Sequence, residues 1–110
     1  MTERELQEAV FELAGALRWR VYHTYDSRRS AEGFPDMVIV SHTRHRLIFV
    51  ELKSDAGRLT AAQQLWLSDL TAAGGIVYDA SATAFQRPIP EVYVWRPADW
   101  LDGSIERVLR

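Results

Sequence analysis

Gly33-Phe34-Pro35-Asp36-Met37-Val38-Ile39-Val40-Ser41, a short polar turn over 42–45, and Arg46-Leu47-Ile48-Phe49-Val50-Glu51-Leu52-Lys53 form the stretch that decides how this chain folds. Proline is tolerated only at the start or edge of a strand, so an apolar strand opens after Pro35 and runs from Asp36 to Ser41. The return strand, 46–53, carries Leu47-Ile48-Phe49-Val50, apolar on both faces as a central strand covered by helices should be. With the turn centred between Thr43 and Arg44, antiparallel pairing sets Ser41 against Arg46 and, counting outward, Asp36 against Glu51. Directly opposed residues share a face with Cβ atoms ~5 Å apart, and two carboxylates so placed repel unless a cation lies between them or one is protonated. Glu51 and Lys53, two apart on one strand, also share that face.

Two carboxylates and an ammonium gathered in this way suit Mg²⁺ or Mn²⁺, which accept one or two carboxylates and leave positions open for water and phosphate oxygens. A lysine beside the attacking water can orient it or stabilise the charge of the transition state, so the chemistry expected is phosphodiester hydrolysis. Lys53 is the single lysine in a chain with twelve arginines, either an accident of composition or a compact, pKa-tunable ammonium placed where that matters chemically. Glu-x-Lys alone carries little information. The joint arrangement carries it: Pro-Asp opening one apolar strand, Glu-x-Lys closing the next, and a register that opposes the acids. The competing account is that strand ends simply carry charges.

Outward from this hairpin, Thr2 to Leu17 reads as an amphipathic helix with Thr2 as cap, acids in the first turn, and Leu6, Val10, Leu13 and Leu17 at helical spacing. Glu3 lies on the same stripe, whereas Glu5, Glu8 and Glu12 lean outward. Trp19 to Tyr25 alternates and is predicted as the first strand; Trp19, Tyr22 and Tyr25 are expected in the core rather than as base-stacking residues. The loop from Asp26 to Gly33 contains Arg28, Arg29 and Ser30, residue types suited to phosphate contacts. Downstream, Thr60 caps a helix whose apolar surface comes largely from Leu65, Leu67, Leu70 and Ala73, and Gly74-Gly75 ends it. Ile76 to Tyr78 is the next predicted strand, reached from strand 46–53 by a connection long enough for a parallel crossover. A loop over 79–90, a strand over Val92 to Trp95 and a helix opening at Pro97 toward Leu109 complete the chain.

The whole is compatible with one domain over 1–110, at 47% hydrophobic and 25% charged residues. The absence of cysteine excludes disulfides, thiolate nucleophiles and thiolate zinc sites. No apolar run approaches the ~20 residues of a membrane span or the core of a signal peptide, so the expectation is a cytoplasmic chain without membrane contact. The net charge of −2 hides an asymmetry. From Arg18 to Arg58 there are eight basic residues against five acids, while the remainder holds five against ten. Such a locally positive middle either contacts phosphates or is ordinary solvated surface.

At Gly33-Phe34-Pro35-Asp36-Met37-Val38, Phe49-Val50-Glu51-Leu52-Lys53, Gly57-Arg58-Leu59-Thr60 and Gln63, the chain resembles the PD-(D/E)xK nuclease superfamily and, within it, the virus-type replication-repair nuclease (VRR-NUC) domain. The resemblance covers roughly residues 3 to 78. It implies an α/β fold with a restriction-endonuclease-like αβββαβ core, a mixed central sheet flanked by helices. It also implies metal-dependent DNA cleavage with Mg²⁺ or Mn²⁺, Asp36 and Glu51 as ligands with the Leu52 carbonyl assisting, Lys53 as catalytic lysine, and Gln63 near the active centre. The family's N-terminal helix carries a glutamate; Glu3 is the best match and Glu5 the competitor. Arg28, Arg29, Ser30 and Arg58 are the expected DNA contacts, branched or otherwise structured DNA the expected substrate, and a homodimer the expected assembly. The alternative is a non-catalytic DNA-binding or assembly module on a nuclease-like fold.

Overall fold

The computed structural model describes residues 1–24, 29–78 and 86–110. Its elements are α1 (Glu3–Ala16), β1 (Arg20–His23), β2 (Met37–Ser41), β3 (Arg46–Leu52), α2 (Ala61–Ala73), β4 (Gly75–Tyr78), β5 (Gln86–Ile89), β6 (Glu91–Trp95), α3 (Pro97–Leu101) and α4 (Ser104–Leu109). The central sheet has the order β1-β2-β3-β6. It is mixed, with β2 antiparallel to both β1 and β3 and β6 parallel to β3. The fold is thus α/β with a central mixed sheet flanked by helices. Among the described residues no helix is long and apolar enough to cross a membrane.

The hairpin forms in the register counted from sequence, with Ser41 against Arg46 and Met37 against Val50. Met37, Ile39, Ile48, Val50 and Leu52 then point to one face, where they join Leu6, Val10 and Ala14 of α1 and Ile105 and Leu109 of α4 in a single core. Trp19 closes this core. It is 5% exposed, donates its indole N–H to the Leu109 carbonyl at 2.9 Å, and carries the Arg44 and Arg46 guanidinium groups over its ring. Burying an indole of 150–250 Å² contributes roughly 4–6 kcal/mol before entropy is counted. Arg46 also forms a two-pronged pair with Glu91 at 2.8 and 2.7 Å and donates to the Val108 carbonyl at 2.7 Å, while the Tyr93 hydroxyl donates to Glu91 at 2.9 Å. Two arginines of the positive middle are therefore structural.

α1 begins as its sequence dictates. Thr2 and Glu5 form a reciprocal capping box, and the helix ends with Arg18 N–H on the Gly15 carbonyl and Trp19 N–H on the Ala14 carbonyl. That closing motif needs a left-handed residue, usually glycine, and here Arg18 supplies it at φ 67°.

Four expectations change. The strand 76–78 does not join β3: β4 pairs antiparallel with β5 in a separate two-stranded sheet, and β3 takes β6 as its parallel neighbour. β6 brings five paired residues and the buried Trp95 to β3, whereas β4 is short and opens on Gly75. The segment 79–90 is not all loop, since β5 occupies Gln86–Ile89; Pro88 is tolerable there because the strand lies at a sheet edge. The C-terminal helix is two, broken at Asp102-Gly103, where Gly103 has φ 83°. Finally, the first strand ends at His23, Tyr25 lies outside the described residues, and Tyr22, expected in the core, is 59% exposed. Of the apolar residues of α2 only Leu67 is buried, with Leu65 63% exposed. The face of the sheet turned away from α1 is accordingly much more open than the face beneath it.

Candidate active site

The segment before β2 is fixed by a backbone-to-backbone approach that only glycine allows. Gly33 has φ 83°, and a Cβ there would lie 2.4 Å from the Ala62 carbonyl carbon and 2.7 Å from the Gln63 nitrogen. This sets the turn directly on the first turn of α2. Phe34 then meets Phe49 of β3 and Trp66 of α2 edge to face, at ring separations of 6.2 and 5.1 Å. Pro35 is buried, and its carbonyl accepts the Thr24 hydroxyl at 3.2 Å while the Asp36 carbonyl accepts Thr24 N–H at 2.9 Å. Strand, turn and helix thus lock Asp36 in place.

Extending the register one step beyond Met37 and Val50 sets Asp36 against Glu51. Asp36 Oδ2 accepts the Leu52 N–H at 2.8 Å, which ties the carboxylate to the end of β3. Glu51 is only 2% exposed. Its Oε1 accepts from Gln63 Nε2 at 3.0 Å, and its Oε2 is buried with no hydrogen-bond partner among the described residues. Gln63 does two jobs. Its side-chain oxygen accepts the Thr60 N–H at 2.9 Å and its own N–H donates to the Thr60 hydroxyl at 3.1 Å, so the capping box that starts α2 also aims the amide at Glu51.

Burial, and then the neighbouring Asp36 charge, push the Glu51 carboxyl up to about 8; Lys53 opposes the rise and Glu3 adds to it. Near neutrality Glu51 therefore keeps its proton unless positive charge is brought to it. Glu3, exposed in the first turn of α1, is close enough for its charge to act on Glu51. Glu5, the competitor, is folded back on its own helix start, with its carboxylate accepting the Thr2 N–H at 2.9 Å, a bond that lowers its pKa. Lys53 is half-buried beyond Glu51, its backbone N–H on the Trp95 carbonyl at 3.0 Å.

The structure therefore brings together Asp36, Glu51, Leu52, Lys53, Gln63 and, through its field, Glu3. Among the described residues no three histidine, cysteine, aspartate or glutamate side chains cluster in a metal-holding arrangement, and Asp36 and Glu51 stand as a pair. The expected phosphate contacts are more dispersed: Arg29 and Arg58 are exposed, Ser30 is half-buried, and Arg28 lies outside the described residues.

One organising residue escapes sequence reasoning. Arg96, just before α3, donates to the carbonyls of Ser54 at 2.6 Å and Gly57 at 2.7 Å, and Asp55 accepts the Ala98 N–H at 3.0 Å. These bonds pin the loop that follows Lys53 and carries Arg58. Nothing local in the sequence marks Arg96, because its partners are about forty residues away, |i−j| 42 and 39.

A family model for the VRR-NUC domain matches residues 2–84. A Fanconi-associated nuclease 1 homolog of Schizosaccharomyces pombe is 38% identical over 45 residues, a match covering 41% of this chain and 6% of that protein. No solved structure matches the chain. With the family match spanning both β-strands of the hairpin, the capped start of α2 and the helix that carries Glu3, the chain belongs to the VRR-NUC family of nuclease domains.

Proposed function

We propose that the chain is a Mg²⁺- or Mn²⁺-dependent endonuclease that hydrolyses phosphodiester bonds in DNA, with branched or junction DNA as its substrate class. The observation that carries this reading is the Glu51 carboxyl: 2% exposed, raised to about 8, with one oxygen unpartnered among the described residues and Asp36 opposite. A carboxylate pair in which the buried member has a free oxygen fits a hard divalent cation, and Asp36, Glu51 and the Leu52 carbonyl are the groups that would hold it. Such an ion supplies Lewis-acid neutralisation of the scissile phosphate and makes water a better nucleophile.

The protein's own residues do the rest. Gln63 holds Glu51 by Oε1, leaving Oε2 without a hydrogen-bond partner among the described residues. The Leu52 N–H keeps Asp36 from rotating away. Lys53, on the same face as Glu51, orients the attacking water and offsets charge developing on the phosphate. Glu3 adds negative potential, which strengthens attraction for a cation. Arg29, Ser30 and Arg58 contact backbone phosphates, and a second copy of the chain would let two such sites engage both strands.

The test is cleavage of single-stranded, duplex, flap and four-way DNA in Mg²⁺ and in Mn²⁺, comparing wild type with Asp36→Ala and Lys53→Ala. Loss of at least about 10²-fold in rate is expected for each variant. Undiminished cleavage by both would overturn the site. Calorimetric Mn²⁺ binding with no cleavage of any substrate would instead identify a binding module on a nuclease fold.

A further inference from the structure

The open face of the sheet continues well beyond the carboxylate pair. Asp36, Val38 and Val40 alternate onto that face along β2, and their register partners on β1 are Val38 with Tyr22 and Val40 with Arg20. Tyr22 is 59% exposed and Arg20 is exposed, while the opposite face of β2 is buried at Met37, Ile39 and Ser41. At the far end lies a depression of about 490 Å³ lined by Arg18, Arg20, Val40, Ser41, His42 and Thr43, with no carboxylate among them.

Neither guanidinium is engaged by the described residues. Arg44 and Arg46 nearby are tied to Leu17, Trp19 and Glu91, but the Arg18 and Arg20 side chains have no hydrogen-bond or ion-pair partner among the described residues. Arg18 also occupies the left-handed position that closes α1, at φ 67°, where glycine would fit without strain. A strained arginine with an unengaged side chain, beside a second one in an acid-free depression, is an arrangement that folding alone does not explain.

We propose that this face is a nucleic-acid track, in which the Arg18–Arg20 depression holds phosphates of the DNA backbone and Tyr22 packs against the chain between them and the cleavage site. Val40 is four residues on from Asp36, which at ~3.3 Å per residue is about 13 Å. At 3.4 Å per base pair, the depression engages phosphates about four base pairs from the scissile one. The polarity of the track toward a cleavage site rests on the function proposed above; the binding itself does not.

The experiment compares the full chain with the double variant Arg18→Gly/Arg20→Gln, using fluorescence anisotropy on a labelled 20-base-pair duplex without divalent metal over a range of salt. Glycine suits the backbone at 18, so a thermal melt no lower than wild type shows that the fold is kept. Loss of two phosphate contacts should flatten the plot of log affinity against log salt by about 2 and weaken binding at low salt by at least about tenfold. Tyr22→Ala should weaken binding and Tyr22→Phe restore it. Equal slopes and affinities for wild type and the double variant overturn the track, as does the absence of any DNA binding. Cleavage by the wild type in Mg²⁺ with equal slopes removes the track and leaves the nuclease reading; a changed slope with no cleavage does the reverse.

Discussion

Replacing Glu51 by glutamine should make the protein more stable at alkaline pH while abolishing its activity. In the folded chain the Glu51 carboxyl is raised from 4.5 to about 8 by burial and by Asp36. Between those values the unfolded chain has released a proton that the folded chain retains, so stability is full below about pH 4.5 and falls as pH rises toward 8. At ~1.4 kcal/mol per pH unit the loss reaches at most about 5 kcal/mol, and about 3–5 is expected. Glutamine removes it: the amide oxygen can accept from Gln63, the amide N–H can face Asp36, and nothing titrates. Wild type and Glu51→Gln should therefore melt together near pH 5. By pH 8.5 the variant should melt about 12–20 °C higher, at ~4 °C per kcal/mol for a domain this size. Divalent metal at pH 8.5 should close the gap by stabilising wild type alone. The assay is thermal unfolding by circular dichroism across pH, with and without Mn²⁺. A gap that stays constant from pH 5 to 8.5, or a wild type that gains on the variant as pH rises, would refute a proton-holding, buried Glu51.

Gly33→Ala should cost about 3 kcal/mol or more, combining ~1–2 kcal/mol for a left-handed alanine with displacement of the Ala62–Gln63 backbone. Its cleavage rate, measured at a temperature where the variant is fully folded, should still fall, because moving Gln63 releases Glu51. Glu91→Ala should cost about 3–5 kcal/mol, since it strands the Arg46 guanidinium and the Tyr93 hydroxyl in a largely buried place. Urea unfolding should show a lower midpoint with an unchanged slope. An effect below about 1 kcal/mol would mean that water replaces the carboxylate.

Much of the site was legible because its spacing is local. Strand alternation and the position of the turn fix which residues oppose each other, so Asp36 against Glu51 follows from counting once Ser41 is set against Arg46. Thr2 and Thr60 were legible as helix caps for the same reason, since the groups they cap lie three residues away. Gln63 shows the limit. Its cap bond is local, but its contact with Glu51 spans twelve residues and was suggested only by family resemblance. Sheet order was beyond the sequence altogether: β4 and β6 are both short and apolar, and which of them lies beside β3 depends on total burial, Trp95 included.

By itself, then, the sequence determined α1, α2, the β2–β3 hairpin with its register and the meeting of two carboxylates with a lysine, because these depend on periodicities of two and of about 3.6 residues. Only the tertiary structure decided that Glu51 is buried with an oxygen to spare, that Arg44 and Arg46 serve the core, that Arg18 is exposed, and that Arg20 and Tyr22 stand exposed on the carboxylate face. Burial and charge pairing are sums over neighbours distant in the chain. No local pattern records them.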